Sequence, residues 1–131
     1  MSDLSTKGAA FAEFWRERRL CTLTTVRPDG TPHVVPVGVT LDLDAGIARV
    51  ITDGSSAKAR QLRAAGKLNA AACQVDGRRW STVEGVATLH EDPQAIADAV
   101  RRYAERYRQP RVNPNRVLIE IAVTRVLGNV S

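Results

Sequence analysis

Val117-Leu118-Ile119-Glu120-Ile121-Ala122-Val123-Thr124 is the stretch on which the fold turns. In an extended chain Val117, Ile119, Ile121 and Val123 point one way, and Leu118, Glu120, Ala122 and Thr124 the other. That period of two marks a strand with one face in a core. The same period recurs upstream. Cys21, Leu23 and Thr25 alternate with Thr22, Thr24 and Val26. From Pro32 to Leu41, His33, Val35, Val37, Val39 and Leu41 share a side. Arg27-Pro28-Asp29-Gly30 forms the turn between these two strands, and Asp44-Ala45-Gly46 leads into another from Ile47 to Thr52. Leu68 to Val75 and Trp80 to Leu89 flank the turn residues Asp76-Gly77. Pro36, which has no N–H to donate, and Gly38, which has no side chain, mark an edge, a bulge or a close approach.

Helical spacing fills the gaps. Ser5 or Thr6 is a candidate cap for a helix that reaches about Arg18, with Phe11, Phe14 and Trp15 on one face. Ala57 to Ala65 is a second helix, ended by Gly66, and Pro93 opens a third that runs to about Tyr107. The order is α-β-β-β-α-β-β-α-β. Six strands with short connections predict a mainly β fold, an antiparallel sheet closing into a barrel with flanking helices outside.

A chain of 131 residues, 44% hydrophobic, is the size of one domain, here 1–131, with one packed core. The net charge of +5 favours an anionic partner. No apolar run reaches the length of a membrane helix, and Met1 to Ala12 lacks the apolar stretch of a signal peptide, so the expected location is the cytoplasm. Cys21 and Cys73 read as small buried hydrophobes. With His33 and His90 scattered, no metal site is expected. His33 reads as a satisfied side chain on a barrel face. No nucleophile elbow, paired carboxylates or Cys–His dyad is present, so no catalytic residue is assigned, and an enzyme of this sequence needs a cofactor to carry its chemistry.

Thr52-Asp53-Gly54-Ser55-Ser56-Ala57-Lys58 is the stretch that bears most on function. A strand ends, a glycine loop follows and a helix begins, whose free N–H groups and partial positive charge suit a phosphate. Thr52, Ser55 and Ser56 offer hydroxyls and Lys58 a charge. The alternative is a plain cap with a solvated lysine. Arg106, Arg108, Arg111 and Arg116, interleaved with Tyr103 and Tyr107, suit an acidic small molecule, an RNA or a solvated helix face, and no RNA-binding signature accompanies them.

Several motifs together carry a family resemblance over roughly Phe11 to Gly128. They are Leu23-Thr24-Thr25; Asp29-Gly30-x-Pro32-His33-Val34 with Pro36-Val37-Gly38; Ala48-Arg49-Val50-Ile51-Thr52; Ser56-x-Lys58; Gln74-Val75-Asp76-Gly77-x-Arg79-Trp80; and Glu84-Gly85. The chain resembles the flavin/deazaflavin split β-barrel oxidoreductases related to pyridoxamine 5′-phosphate oxidase. Arg102-Tyr103-Ala104-x-Arg106-Tyr107-Arg108-x-Pro110-Arg111-x-Asn113-Pro114-x-Arg116-Val117 resembles the subgroup that reduces biliverdin with the deazaflavin coenzyme F420. The resemblance implies a homodimer of six-stranded split barrels of the FMN-binding type, without membrane or nucleic-acid partners. It implies hydride transfer from reduced F420 to a conjugated small-molecule substrate such as biliverdin. An FMN-binding oxidoreductase and a non-catalytic coenzyme or tetrapyrrole carrier are the alternatives.

By the same resemblance, the backbone of Pro36, Val37, Gly38 and Val39 lies along the coenzyme ring, and Gly38 gives the ring room. Thr52, Ser56 and Lys58 take the phosphate, with Val50, Ile51 and Ala59 in the same site. Gln74 and Trp80 line it from one subunit or the other. Pyridoxamine phosphate oxidases carry Arg-x-x-Leu-Leu-Lys for the FMN phosphate. Here Arg49 is followed by Val50-Ile51-Thr52 and the lysine waits until Lys58, which disfavours that activity.

Overall fold

The computed structural model describes residues 3–131. Its strands are β1 (Cys21–Val26), β2 (Pro32–Val37), β3 (Thr40–Asp42), β4 (Ile47–Asp53), β5 (Lys67–Asp76), β6 (Arg79–His90) and β7 (Arg116–Asn129). Its helices are α1 (Ala9–Phe14), α2 (Ala57–Ala65) and α3 (Pro93–Arg106). All seven strands form one sheet in the order β2-β1-β5-β6-β7-β4-β3, antiparallel at every pairing.

The count of seven corrects the expected six. The stretch from Pro32 to Leu41 is two strands, broken at Gly38-Val39, and those two strands are the opposite edges of the sheet. Three Cα–Cα steps separate Val37 from Thr40, a reach of about 11 Å. The sheet therefore curls until its edges meet. They are joined there by covalent chain and not by a hydrogen-bonded ladder, so the barrel has a seam.

The inward faces follow the period of two. Leu23, Val39, Val50, Val83, Ile119, Ile121 and Val123 are buried together with Phe14 and Trp15. The N-terminal helix is shorter than expected. Ser5–Lys7 is a 3-10 turn, and α1 starts after Gly8 without a side-chain cap. The apolar face was read correctly, since Phe11, Phe14 and Trp15 are all buried, and the Trp15 indole N–H donates to Ser81 Oγ at 3.0 Å. The other two helices have side-chain caps. Ser56 Oγ accepts from the Ala59 N–H, and Asp92 accepts from the Ala95 N–H with Pro93 beside it. Gly85 sits where the β6–β7 register shifts; a side chain there would strike the Ala122 carbonyl. Cys21 is buried as expected, Cys73 only half-buried, and both thiols are free. Among the described residues no helix is long and apolar enough to cross a membrane.

Candidate functional site

The seam opens onto a cleft of about 260 Å³ lined by Pro36, Val37 and Gly38 on one side and Ile51, Thr52, Asp53 and Lys58 on the other. Tyr103 of α3 and Pro110, Asn113 and Arg116 of the following loop and β7 complete it. Six of the residues assigned to the coenzyme meet here, Pro36, Val37, Gly38, Ile51, Thr52 and Lys58, with Tyr103 and Arg116 of the arginine–tyrosine segment.

The wall from β4 to α2 is built locally. Thr52 Oγ1 donates to Ser56 Oγ at 3.2 Å, so the strand end is tied to the helix cap. Asp53 does not confront the cleft as a free anion. Its carboxylate accepts from the Ser55 N–H and hydroxyl, and from Asn113 Nδ2 at 3.1 Å and Asn115 Nδ2 at 3.3 Å. These bonds, those to Ser55 foremost, hold its pKa down to about 2. Ser55 is thereby spent on the loop. Lys58 is half-buried, has no carboxylate partner among the described residues, and has its pKa lowered by burial. An ammonium pulled from water without a counter-ion is an anion site in energetic terms, since an incoming phosphate or carboxylate recovers what desolvation cost.

The opposite wall is held from a distance. The Arg106 guanidinium donates to Glu17 O (2.9 and 2.8 Å), to Val39 O and to Gln74 Oε1. It is 8% exposed, and all its partners are neutral. It also lies over the rings of Trp15 and Tyr107, at 5.7 and 5.1 Å. Tyr107 Oη donates to Arg19 O at 2.7 Å and accepts from the Val39 N–H at 3.1 Å, and burial pushes its pKa up to about 12. Both backbone groups of Val39 are thus held by α3 and the residue that ends it. The close approach at Gly38 is also to α3. A Cβ there would stand 2.7 Å from a Tyr103 ring carbon and 3.1 Å from one of Tyr107. On the side where a Cβ would stand, two protein aromatics account for the glycine, while its backbone lines the cleft.

The remaining sequence candidates lie outside the cleft. Val39, Val50 and Ala59 are buried at 0–1% exposure as packing beneath it. Gln74 is fully buried; its amide donates to Phe14 O at 2.8 Å and accepts from Arg106, so no polar atom faces a ligand. Trp80 is 40% exposed at the start of β6. Arg49 is spent on Asp42 (2.9 Å) and Glu120 (3.5 Å). His33 is not satisfied, because its buried Nδ1 has no partner. The sequence reading missed Asp53, Pro110 and Asn113 as cleft residues and placed Arg106 at the surface. The spacing of Ala99, Tyr103 and Arg106, i, i+4 and i+7 on one helical stripe, is the signal that marks Arg106 as inward.

The family profile described as pyridoxamine 5′-phosphate oxidase matches residues 8–129. The chain belongs to the pyridoxamine 5′-phosphate oxidase family. Within that family it is 52% identical over 116 residues to a protein of Mycobacterium tuberculosis (strain CDC 1551 / Oshkosh) named F420H(2)-dependent biliverdin reductase, covering 88% of this chain and 83% of that one. The crystal structure of a conserved hypothetical protein from Mycobacterium tuberculosis superposes with a TM-score of 0.76 at 26% identity, over 98% of this chain and 87% of that one. A structure named F420 Reductase superposes at 0.65 with 24% identity, over 88% and 94%. The chain therefore has the split-barrel fold of that family.

Proposed function

We propose that this chain is a reductase that uses reduced F420 and acts on biliverdin. The reading is supported by the similarity to a reductase of that name over most of both chains. The observation that carries it is the half-buried, unpartnered Lys58 at the start of α2, facing the Pro36–Gly38 backbone across one cleft. Lys58, with the Thr52 and Ser56 hydroxyls, suits the coenzyme's phosphate, and the Pro36–Gly38 backbone suits the flat ring system. Val39, Val50, Ile51 and Ala59 support those groups from behind and beside. Bound there, reduced F420 supplies the hydride. The chain's own part is to orient the partners and to hold a positive field where negative charge develops on the acceptor. The proton comes from solvent or from a water held by an arginine.

The reading includes a homodimer. Val34, Val75, Trp80 and Leu127 share the outward face of neighbouring strands and are 57%, 61%, 40% and 36% exposed. An apolar face of this kind suits a second copy, which brings Trp80 towards the partner's cleft. Two free thiols agree with a cytoplasmic location. The test is a fluorescence titration with F420 and, separately, FMN, followed by an assay of biliverdin reduction. Tight F420 binding with turnover supports the reading. Preference for FMN replaces it with a flavin enzyme, and binding without turnover replaces it with a carrier.

A further inference from the structure

Tyr103 has a cleft on each side. Beyond the one described lies a second, of about 320 Å³, lined by Arg18, Arg19, Leu20, Tyr103, Tyr107 and Arg108. Tyr103 lines both clefts. Leu20 immediately precedes Cys21, which pairs with Val37 at the end of β2. Leu20 is 70% exposed, an apolar lip at the mouth of the second cleft. The two tyrosine rings pack with centroids 4.9 Å apart and planes tilted by 32°, and the Tyr107 hydroxyl donates to Arg19 O.

The charges of this cleft are unequal. Arg19 is neutralised by Glu17 at 3.2 Å and Asp76 at 3.0 Å. Arg18 and Arg108 make no ion pair among the described residues, and both are exposed. Two free guanidiniums therefore flank an aromatic wall and an apolar lip. That combination matches a flat, conjugated molecule carrying more than one carboxylate, since guanidinium pairs with carboxylate in a bidentate fork and rings stack on tyrosine.

We propose that Arg18 and Arg108 bind the carboxylate side chains of the acceptor, so that its conjugated body lies between Leu20 and the Tyr103 ring. The assignment rests on the reading of the first cleft as the coenzyme site. It also gives the arginine segment after α3 a role separate from that of Lys58.

The experiment uses Arg18→Ala and Arg108→Ala with biliverdin and with its dimethyl ester, whose side chains carry no charge. Each substitution is expected to weaken biliverdin binding roughly tenfold, the scale of one charge-assisted hydrogen bond. The rise is expected in KM with little change in kcat, and the ester is expected to be indifferent to both substitutions. Equal losses with acid and ester overturn the proposal. So does weaker F420 binding in either variant, which assigns these arginines to the coenzyme. Binding of biliverdin alone, followed by its absorbance, separates this proposal from the reaction. Arginine-dependent binding without turnover upholds the subsite while ending the reductase reading, and no binding by the unsubstituted protein overturns the subsite.

Discussion

The two walls of the cleft are made in opposite ways. The β4–α2 wall is contiguous in sequence: Thr52, Ser56 and Lys58 lie within seven residues and organise one another through a cap and an Asp53-centred loop. The seam wall, Pro36 to Val39, has almost nothing local holding it. It is fixed by Arg106 and Tyr107, nearly 70 residues away, and they also hold the chain before β1. A locally built wall can lose a functional group without disturbing the fold. A wall held from the core ties binding to stability, so damage to one is damage to both.

Arg106→Met tests this most severely. It abandons acceptors on Glu17, Val39 and Gln74, each costing about 1–3 kcal/mol when left buried and unsatisfied, while recovering part of the guanidinium's desolvation, several kcal/mol. The expected balance is a loss of about 3 kcal/mol in urea unfolding, accompanied by weaker coenzyme binding. A binding loss with no change in the unfolding midpoint breaks the claim that this wall belongs to the core. Lys58→Ala is the converse. Coenzyme affinity is expected to fall by about 1.5–3 kcal/mol, the range for a hydrogen bond to a charged group, with the midpoint unmoved. Unchanged affinity removes the anion site.

Tyr107→Phe is a gentler probe of the seam wall. It removes one hydroxyl and leaves Arg19 O and the Val39 N–H without that partner, an expected cost of about 1–2 kcal/mol, readable in the same two measurements and smaller in both. The smallest effect belongs to the local wall. The Asp53 carboxyl is expected to titrate near pH 2 by NMR. Because its pKa is depressed on folding, its contribution is complete above the ordinary carboxylate range and disappears as pH falls towards 2. Titration near pH 4 shows that the loop bonds to Ser55, Asn113 and Asn115 do not hold it.

The same contrast decides what was legible in the sequence. Strands β1 and β4, the body of β7, the turn at Asp29-Gly30 and a serine cap at Ser55 or Ser56 announce themselves through spacing of a few residues, and the structure forms them there, with Ser56 as the cap and β7 continuing to Asn129. The split at Gly38-Val39 was legible only as an anomaly, Pro36 and Gly38 in a strand-like run. What it splits is visible only once both edges of the sheet are known. Gln74 and Arg106 were misplaced for one reason. A polar residue near a strand end and an arginine near a helix end are usually exposed, and only partners far away in sequence, each other and the carbonyls of Phe14, Glu17 and Val39, make burial tolerable. At Gly38 a missing side chain tells that something comes close and not what, and the Tyr103 and Tyr107 rings are what a side chain there would meet.

The seam between β2 and β3 also bears on how a ligand enters. Every other junction of the barrel is a ladder that resists opening, with β5, β6 and β7 forming its longest runs. At the seam the two-residue hinge Gly38-Val39 joins the edges, pinned at Val39 by Arg106 and Tyr107, and Gly38 lines the cleft. Parting the edges there costs those bonds and no ladder, so such an opening is local and not global. Amide hydrogens of β2 and β3 should accordingly exchange well before those of β6, and a ligand seated across the seam should slow them first.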